Sequence, residues 1–500
     1  MKKIILLLLF ICNIIGVSAQ LGSCPKREFR GTWIQCINGQ FQGMTPQQMQ
    51  ANLIHQLDIC KAAGINAVMF QVRGEADALY QSSYEPWSRF LTGVQGQNPG
   101  WDPLAWMVEQ CHKRNMEIHA WINPFRAKTK GTAELAPNHP YKLHPERFFS
   151  YDGLLIFDPG LDVNQRYICS VVQDIVSRYD VDGLHIDDYF YPYPVAGVPI
   201  PDQKTFQEYP NGFADIADWR RYNVNCFIEM LYNTIHETKP WVKFGVSPFG
   251  IYHNAKSSGG DKLPGSETRG LQNYDDLYAD VLFWIHKGWV DYVVPQVYWE
   301  IGHSVADYER LVSWWGRYAA GRPLYIGQDV ERSVKALDPK NGTRNQQAPK
   351  LEQARTTRGV KGNCFWYSAA LTRNEGNYAY ELQEDYHLFP ALQPSMPFID
   401  DKAPGKPSKV KALWMPDGYY LFWTAPKAKN EMDRARQYAI YCFVKGEKID
   451  LTTPEHLLAI TSGCMYKLPY QHGQEKFIYV VTALDRLQNE SKPVKVKVKL

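Results

Sequence analysis

A chain of 500 residues is longer than a single core usually fills, so two domains are expected. Formal net charge is only +3 and the one basic run is the tail Lys492 to Lys499, which gives nucleic-acid binding no support. The 10 cysteines lack metal-type spacing, whereas aromatics reach 14% of the chain, with 15 Trp and 31 Tyr, enough to offer flat faces to sugar rings or to fill a large core.

Met1 to Ala19 carries two lysines, an apolar run and the small-residue ending Val17-Ser18-Ala19, the pattern of an export signal. Residues 1–19 are therefore set apart from the fold. Leu21-Gly22-Ser23-Cys24 also resembles a bacterial lipobox, in which a lipidated Cys24 would attach the chain to a membrane. The expected location is the periplasm, the outer membrane or the cell surface. No later segment is long and apolar enough to span a bilayer.

Phe29 to Ile34 reads as a first strand. Thr45-Pro46-Gln47-Gln48 then opens a helix, with Thr as N-cap, Pro at the first helical position and Gln48 completing a capping box. Met49, Leu53, Leu57 and Cys60 recur at helical spacing before the strand Ile65 to Val72. The unit repeats: Asp102-Pro103 starts a helix that leads to strand Met116 to Ile122. After a longer excursion, a helix near 163–179 precedes strand Asp182 to Asp187. Helices near 216–237, 278–287, 305–318 and 350–357 lead in turn to strands 242–247, 292–297, 323–328 and 363–367. Eight strands alternating with helices form either a closed barrel or a doubly wound sheet, and the absence of a Gly-rich nucleotide fingerprint favours the (β/α)8 TIM barrel, over residues 27–396.

Composition changes near Pro397. A charged, Pro- and Gly-containing linker at 397–407 precedes four β-type runs, Tyr419 to Trp423, Tyr438 to Val444, Phe477 to Leu484 and Val494 to Leu500. Residues 408–500 thus read as a small all-β, immunoglobulin-like sandwich. Tyr479 to Asp485, with Asn489-Glu490-Ser491, resembles the late strands of a fibronectin type III module, for which Trp423 is the early core tryptophan.

Side chains alternate across a strand, so the faces that carry chemistry can be separated from those that pack against helices. In Val181 to Pro194, Leu184 and Ile186 face outward and His185 and Asp187 inward. Asp188 has the opposite parity and reaches the interior only if the strand has already ended. The same argument turns Gln71 and Arg73 inward on the second strand, His119, Trp121 and Asn123 on the third, and Gln296, Tyr298 and Glu300 on the sixth. Four strands thus send polar or aromatic groups to one mouth, where barrel enzymes keep their chemistry. Any one of these residues is compatible with a hydrogen-bonded core group, and a lone His119 or Gln296 is more often that than catalytic, but their agreement across strands is harder to explain by packing alone.

The inventory of carboxylates, one cation and stacking rings fits glycoside hydrolysis, which needs one protonated and one ionised carboxyl at the scissile bond. Asp187, among polar neighbours, is expected to stay ionised as nucleophile or base. Glu300, beside Tyr298 and Trp299, is expected to be raised in pKa and to act as acid, with Asp188 able to replace either. Arg73, Asp77, His119, Trp121, Asn123, His185, Tyr189, Tyr191, Gln296, Tyr298 and Trp299 complete the expected substrate-binding set. No metal or cofactor is called for. Two rivals stand beside this reading: a glycan-binding barrel without activity, and a metal-dependent phosphoesterase using His185, Asp187 and Asp188 as ligands.

Six ordered motifs also carry a resemblance. F-R-G-T-W-I, F-Q-V-R-G-E-A-D-A-L-Y, E-P-W-S-R-F-L-T-G, H-A-W-I-N-P-F-R, V-D-G-L-H-I-D-D-Y-F-Y-P and V-P-Q-V-Y-W-E together resemble the bacterial glycosyl hydrolase-like 10 family, also called DUF187, from Arg27 to about Tyr367. The resemblance implies a TIM-barrel glycosidase exported to the envelope, acting on an oligo- or polysaccharide, with members linked to cleavage of peptidoglycan glycan strands lacking stem peptides. An external dietary or host polysaccharide is the alternative substrate. The D-G-x-x-x-D pattern is similar to the fourth-strand motif of α-amylase-type barrels, whose nucleophile matches Asp187. Glu75 lies where this family is expected to have a small residue and is left out of the catalytic set.

Overall fold

The computed structural model describes residues 24–257, 263–470 and 472–500. The export signal and its cleavage site lie outside the described residues. Cys24 is within them, half-buried, its thiol 3.4 Å from the Tyr386 carbonyl oxygen.

Eight parallel strands close into a barrel: β1 (Phe29–Ile34), β2 (Ala67–Arg73), β3 (Glu117–Ile122), β4 (Gly183–Ile186), β5 (Lys243–Val246), β6 (Tyr292–Val293), β7 (Leu324–Asp329) and β8 (Val360–Trp366), with β8 pairing back onto β1. The helices between them are α1 (Pro46–Ala62), α2 (Pro103–Lys113), α3 (Asp162–Arg178), α4 (Ile216–Thr238), α5 (Val281–Lys287), α6 (Tyr308–Tyr318) and α7 (Gln347–Thr356). Their apolar faces meet the outward side chains of the strands, Val68, Phe70, Ile118, Leu184, Ile186, Phe244, Val246 and Ile326 among them, in one continuous buried layer. Burial of that layer at ~25 cal/mol per Å2 is the main driving force for closing the barrel.

The capping box of α1 forms as the sequence predicts. Gln48 N–H donates to Thr45 Oγ1 at 3.2 Å, and Thr45 N–H donates to Gln48 Oε1 at 2.9 Å. Thr45→Ala removes one side-chain acceptor at a solvent-facing helix start, so chemical denaturation should report a loss of about 1 kcal/mol with activity unchanged.

Inside the barrel, space rather than hydrophobicity dictates two residues. A Cβ on Gly183 would lie 2.4 Å from His119 Nδ1, and one on Gly245 would lie 1.9 Å from the Tyr292 ring. Glycine at both positions makes room for the large polar side chains that fill the axis.

Two pieces of structure have no counterpart in the sequence reading. The excursion after β3 folds into a small antiparallel sheet of 126–128, 154–157 and 148–151, which lies on the side where the strands end. The expected long strand 292–297 is regular only at Tyr292–Val293 and continues as two isolated bridges, from Gln296 to Phe249 and to Gly327, because Pro295 cannot donate to a ladder.

The carboxyl-terminal part is a sandwich of seven strands: β9 (Ser408–Met415), β10 (Gly418–Thr424), β11 (Gln437–Val444), β12 (Leu457–Thr461), β13 (Met465–Lys467), β14 (Lys476–Leu484) and β15 (Val494–Lys499). They form sheets ordered β9-β10-β13 and β12-β11-β14-β15, with Trp423, Tyr438, Tyr479 and Val481 in the core between them. The sandwich docks where the barrel strands begin. Leu487 joins Phe29, Ala67, Tyr325 and Met396 in the inner cluster, and Arg436 and Arg486 pair with Asp180 at 2.7 and 2.8 Å. The opposite face, at the strand ends, remains for chemistry.

Candidate active site

The interior of the barrel is a ladder of polar groups. At its floor Lys243 Nζ lies 2.6 Å from Glu117 Oε1, and Glu117 Oε2 lies 3.1 Å from His119 Nε2. His119 Nδ1 contacts the Tyr292 hydroxyl at 2.7 Å, which in turn contacts His185 Nδ1 at 3.1 Å. His185 Nε2 accepts from Trp33 Nε1 at 3.3 Å and lies 3.0 Å from Ser247 Oγ. Burial, with His119 nearby, holds the His185 pKa well below the ordinary value, so the ring is neutral. His119 is therefore a core group, with both nitrogens taken by Glu117 and Tyr292, and not the substrate-binding residue the sequence suggests. His185 is likewise engaged by protein on both nitrogens.

One layer higher, at the carboxyl end of β4, lie the two aspartates. Asp187 Oδ2 accepts from Trp121 Nε1 at 3.3 Å and from Asn123 Nδ2, while its Oδ1 is buried with no hydrogen-bond partner among the described residues. Asn123 is itself fixed, its Oδ1 accepting from Gln71 at 2.7 Å and Arg126 at 2.5 Å. Burial pushes the Asp187 carboxyl up to about 7; Asp188 pushes it the same way, against a pull from Arg126. The expectation that Asp187 stays ionised is thus corrected. The polar groups around it are too few to replace the water it loses inside a closed barrel.

Regular pairing of β4 stops at Ile186, so Asp188 is released from strand parity and reaches the site. Its carboxylate accepts from Tyr193 Oη on one oxygen and from Gln296 Nε2 at 3.1 Å on the other. Burial raises its pKa, and these two donors pull it back toward the ionised form.

Above the pair the wall is aromatic. Trp366, at the end of β8, packs edge-on to Trp33 and Trp121 with centroids 6.0 and 6.2 Å apart, and lies nearly parallel to Tyr298 at 6.2 Å. On the other side Tyr189 stacks on Tyr193 at 5.3 Å, and edge contacts continue through Phe249 at 6.1 Å to Trp299 at 5.4 Å. Arg126 lies 4.9 Å from the centre of the Tyr189 ring.

The structure therefore gathers Asp187, Asp188, Trp121, Asn123, Gln296, Tyr189 and Tyr298, with Trp299 at the margin, and leaves others outside. Arg73 is fully buried in a two-bond pair with Glu85, at 2.7 and 2.6 Å, and donates both Nη1 hydrogens to the carbonyls of Asn123 and Pro124. Four of its five N–H groups are thus engaged by the protein, and it holds the end of β3 in place. Asp77 accepts from Glu75 N–H at 3.1 Å and Gln95 Nε2 at 3.2 Å, organising the loop after β2. Tyr191 is turned outward and buried against Tyr278 and Arg220, because the chain has left the strand and alternation no longer applies. Glu300 is half-buried and shares no hydrogen bond with either aspartate among the described residues. The cation that feels its charge is Lys350. The site residues outside the expected set are Trp366, Arg126, Tyr193 and Ser247. Arg126 and Tyr193 lie inside or beside the quoted motifs, but Trp366 announces itself only by its place at the end of the last strand.

Among the described residues no group of three or more His, Cys, Asp and Glu side chains is arranged to hold a metal. What the cluster can do is transfer a proton at neutral pH, from a carboxyl with one free oxygen, beside a second carboxyl held in place and below rings that suit a sugar.

Comparison with known proteins finds the chain similar to glycosyl hydrolases. The family model described as Glycosyl hydrolase-like 10 matches residues 28–341. The chain is 37% identical over 496 residues to the protein named Glycosyl hydrolase YngK of Bacillus subtilis, covering 96% of this chain and 95% of that one. It is 41% identical over 292 residues to Glycosyl hydrolase DigH of Escherichia coli K12, covering 56% of this chain and 65% of that protein. Among solved structures, the glycoside hydrolase domain of PgaB from Bordetella bronchiseptica has 12% identity and a TM-score of 0.46, covering 72% of this chain and 99% of that one.

Proposed function

From the premise that the chain belongs to the glycosyl hydrolase-like 10 family and is a glycoside hydrolase, we propose that it is exported to the bacterial envelope and cleaves O-glycosidic bonds in peptidoglycan glycan strands, with Asp187 as the acid. The observation that carries this reading is the Asp187 carboxyl, pushed by burial to about 7 with one oxygen free of protein partners. A protonated carboxyl at neutral pH is what departure of a sugar oxygen requires.

The second carboxyl in this proposal is Asp188. Two carboxyls that act from opposite sides of a bond stand about 5 to 9 Å apart on different elements. Asp187 and Asp188 are consecutive, and Glu300 shares no hydrogen bond with either among the described residues, so the attacking oxygen is best supplied by the 2-acetamido group of the sugar itself, the substrate-assisted route. Asp187 then protonates the glycosidic oxygen as the C1–O bond breaks and the acetamido oxygen closes on C1. The Asp188 carboxylate, fixed by Tyr193 and Gln296, faces the acetamido N–H and the positive charge that develops. Water, deprotonated by Asp187, opens the bicyclic intermediate and returns the proton. Peptidoglycan sugars are N-acetylated throughout, which suits this route. The order of strands in the carboxyl-terminal sandwich, three in one sheet and four in the other, supports its reading as a fibronectin type III-like module.

The test is cleavage of purified glycan strands before and after chemical N-deacetylation, with new reducing ends identified by mass. Loss of cleavage on deacetylation, and a fall of about 10² or more in kcat for Asp188→Asn, are expected. Equal cleavage of both substrates would remove the acetamido group from the mechanism. Binding without any new reducing ends would leave a glycan-binding barrel, and cleavage confined to plant or host polysaccharides would replace the substrate.

A further inference from the structure

The sandwich carries a surface that neither the barrel nor its own core uses. Trp414 at the end of β9 is 60% exposed. One face of its indole is stacked on Tyr419 at 4.9 Å, and Tyr470 braces it edge-on at 4.7 Å, leaving the other face open to solvent. A ring held on two sides and bare on the third is a rigid, flat platform. Around the same hairpin, register places Leu413 opposite Tyr420 and Met415 opposite Gly418, with Tyr420 opposite Lys467 and Phe422 opposite Met465 on the next strand. Leu413, Met415 and Met465 are all exposed. This hairpin tip lies at the end of the sandwich away from the Leu487 contact with the barrel.

Charge distinguishes this module from the rest of the chain. Residues 401–500 hold 17 Lys and Arg against 10 Asp and Glu, a net of +7, whereas the whole chain, at 55 against 52, reaches only +3. The first 400 residues are therefore net −4. Exposed Lys411 on β9 and Lys495, Lys497 and Lys499 on β15 make no ion pair among the described residues. Lys476 stands directly opposite Lys499 in the ladder. Like charges so placed cost stability, and a net-basic module that carries a bare aromatic platform, attached to an otherwise acidic glycoside hydrolase, is complementary to a polymer that offers both sugar faces and negative charge.

We infer that the Trp414, Tyr419 and Tyr470 platform, on this basic module, is a second binding site, for an anionic polysaccharide. Stacking on the indole engages the C–H face of a pyranose, and the lysines select carboxylated over neutral chains. The site lies outside the barrel and rests only on the chain being a glycoside hydrolase, so it stands or falls separately from the substrate and mechanism proposed above.

Full-length protein run through native gels containing polygalacturonate, a carboxylated glycan, or hydroxyethylcellulose, a neutral one, tests it. The parent should be retarded by polygalacturonate and hardly at all by hydroxyethylcellulose, with the retardation falling as salt rises. Trp414→Ala and Tyr470→Ala should each weaken that retention about tenfold. The pair Lys476→Gln with Lys499→Gln should weaken it and flatten its salt dependence. Cleavage of a short soluble glycan should stay within about twofold of the parent in all three, since the barrel is untouched. Retention of Trp414→Ala equal to the parent would overturn the proposal. So would Trp414-dependent binding to phosphatidylglycerol vesicles without binding to polygalacturonate, which would assign the platform to a lipid surface. A Trp414-dependent dimer in sedimentation, again without polysaccharide binding, would overturn it in favour of a second copy of the chain.

Discussion

Asp187→Asn should lower kcat/KM on glycan strands about 10³-fold, within the range that general acid catalysis supplies. In the parent, activity on the same substrate should fall as pH rises through about 7, because only the protonated carboxyl can serve the leaving oxygen and burial has set its pKa there. The same substitution should stabilise the fold at alkaline pH. A folded-state value near 7, above the unfolded ~3.9, means that the native state holds a proton the unfolded chain has lost between these two pH values. The parent's stability from this group is full below about pH 4, is lost as pH rises through 7, and is constant beyond. Asn does not titrate, so its advantage over the parent in denaturant unfolding should grow by about 4 kcal/mol between pH 4 and 7 and then level off. Less activity with more stability separates a functional carboxyl from a structural one.

Arg73→Met should be the most damaging substitution to stability. Arg73 and Glu85 are both fully buried, and removing the guanidinium leaves a carboxylate without its counter-charge, a loss of about 3 to 5 kcal/mol. Denaturant midpoints should show it directly. Adding Glu85→Leu should recover much of the stability, since an apolar pair of similar volume replaces the buried charges. Activity should not return with it. Arg73 also donates to the carbonyls of Asn123 and Pro124, and Asn123 is what positions Asp187. Stability and activity recovering together would mean that Arg73 serves the fold alone.

The barrel was legible because its signals are local and periodic. Strand residues of period two and helix residues of period 3.6 could be read in alternation, and the inward parity of His119, Trp121, His185, Gln296 and Tyr298 agrees with the side chains found along the axis. Parity failed where strands had ended. Tyr191 turned outward, Asp188 turned in, and Glu300 came to lie near Lys350. Ionisation was not legible, since the state of Asp187 depends on how completely a ring of eight strands excludes water. Arg73 read as a ligand-binding cation because its partner, Glu85, sits in the following loop, where nothing in the spacing marks it as buried. The strand Ser408–Met415 escaped notice for another reason. Only Val410 and Ala412 alternate inward, against exposed Lys411 and Leu413, and from Leu413 to Met415 the strand is exposed on both faces; that exposed end is the surface from which a second glycan site is inferred.

The central claim is that Asp187 supplies the proton to the departing sugar oxygen. It is tested most directly by comparing Asp187→Asn with the parent on two substrates that differ only in leaving group, a glycan with a sugar alcohol and its aryl glycoside bearing 2,4-dinitrophenolate. The phenolate departs without help, so in kcat/KM, which reports the step that breaks the glycosidic bond and not the later attack of water, the variant should lose about 10³-fold on the glycan and less than about tenfold on the aryl glycoside. Equal losses on both would show that Asp187 acts on the anomeric carbon or on binding, and the assignment of the acid would be wrong.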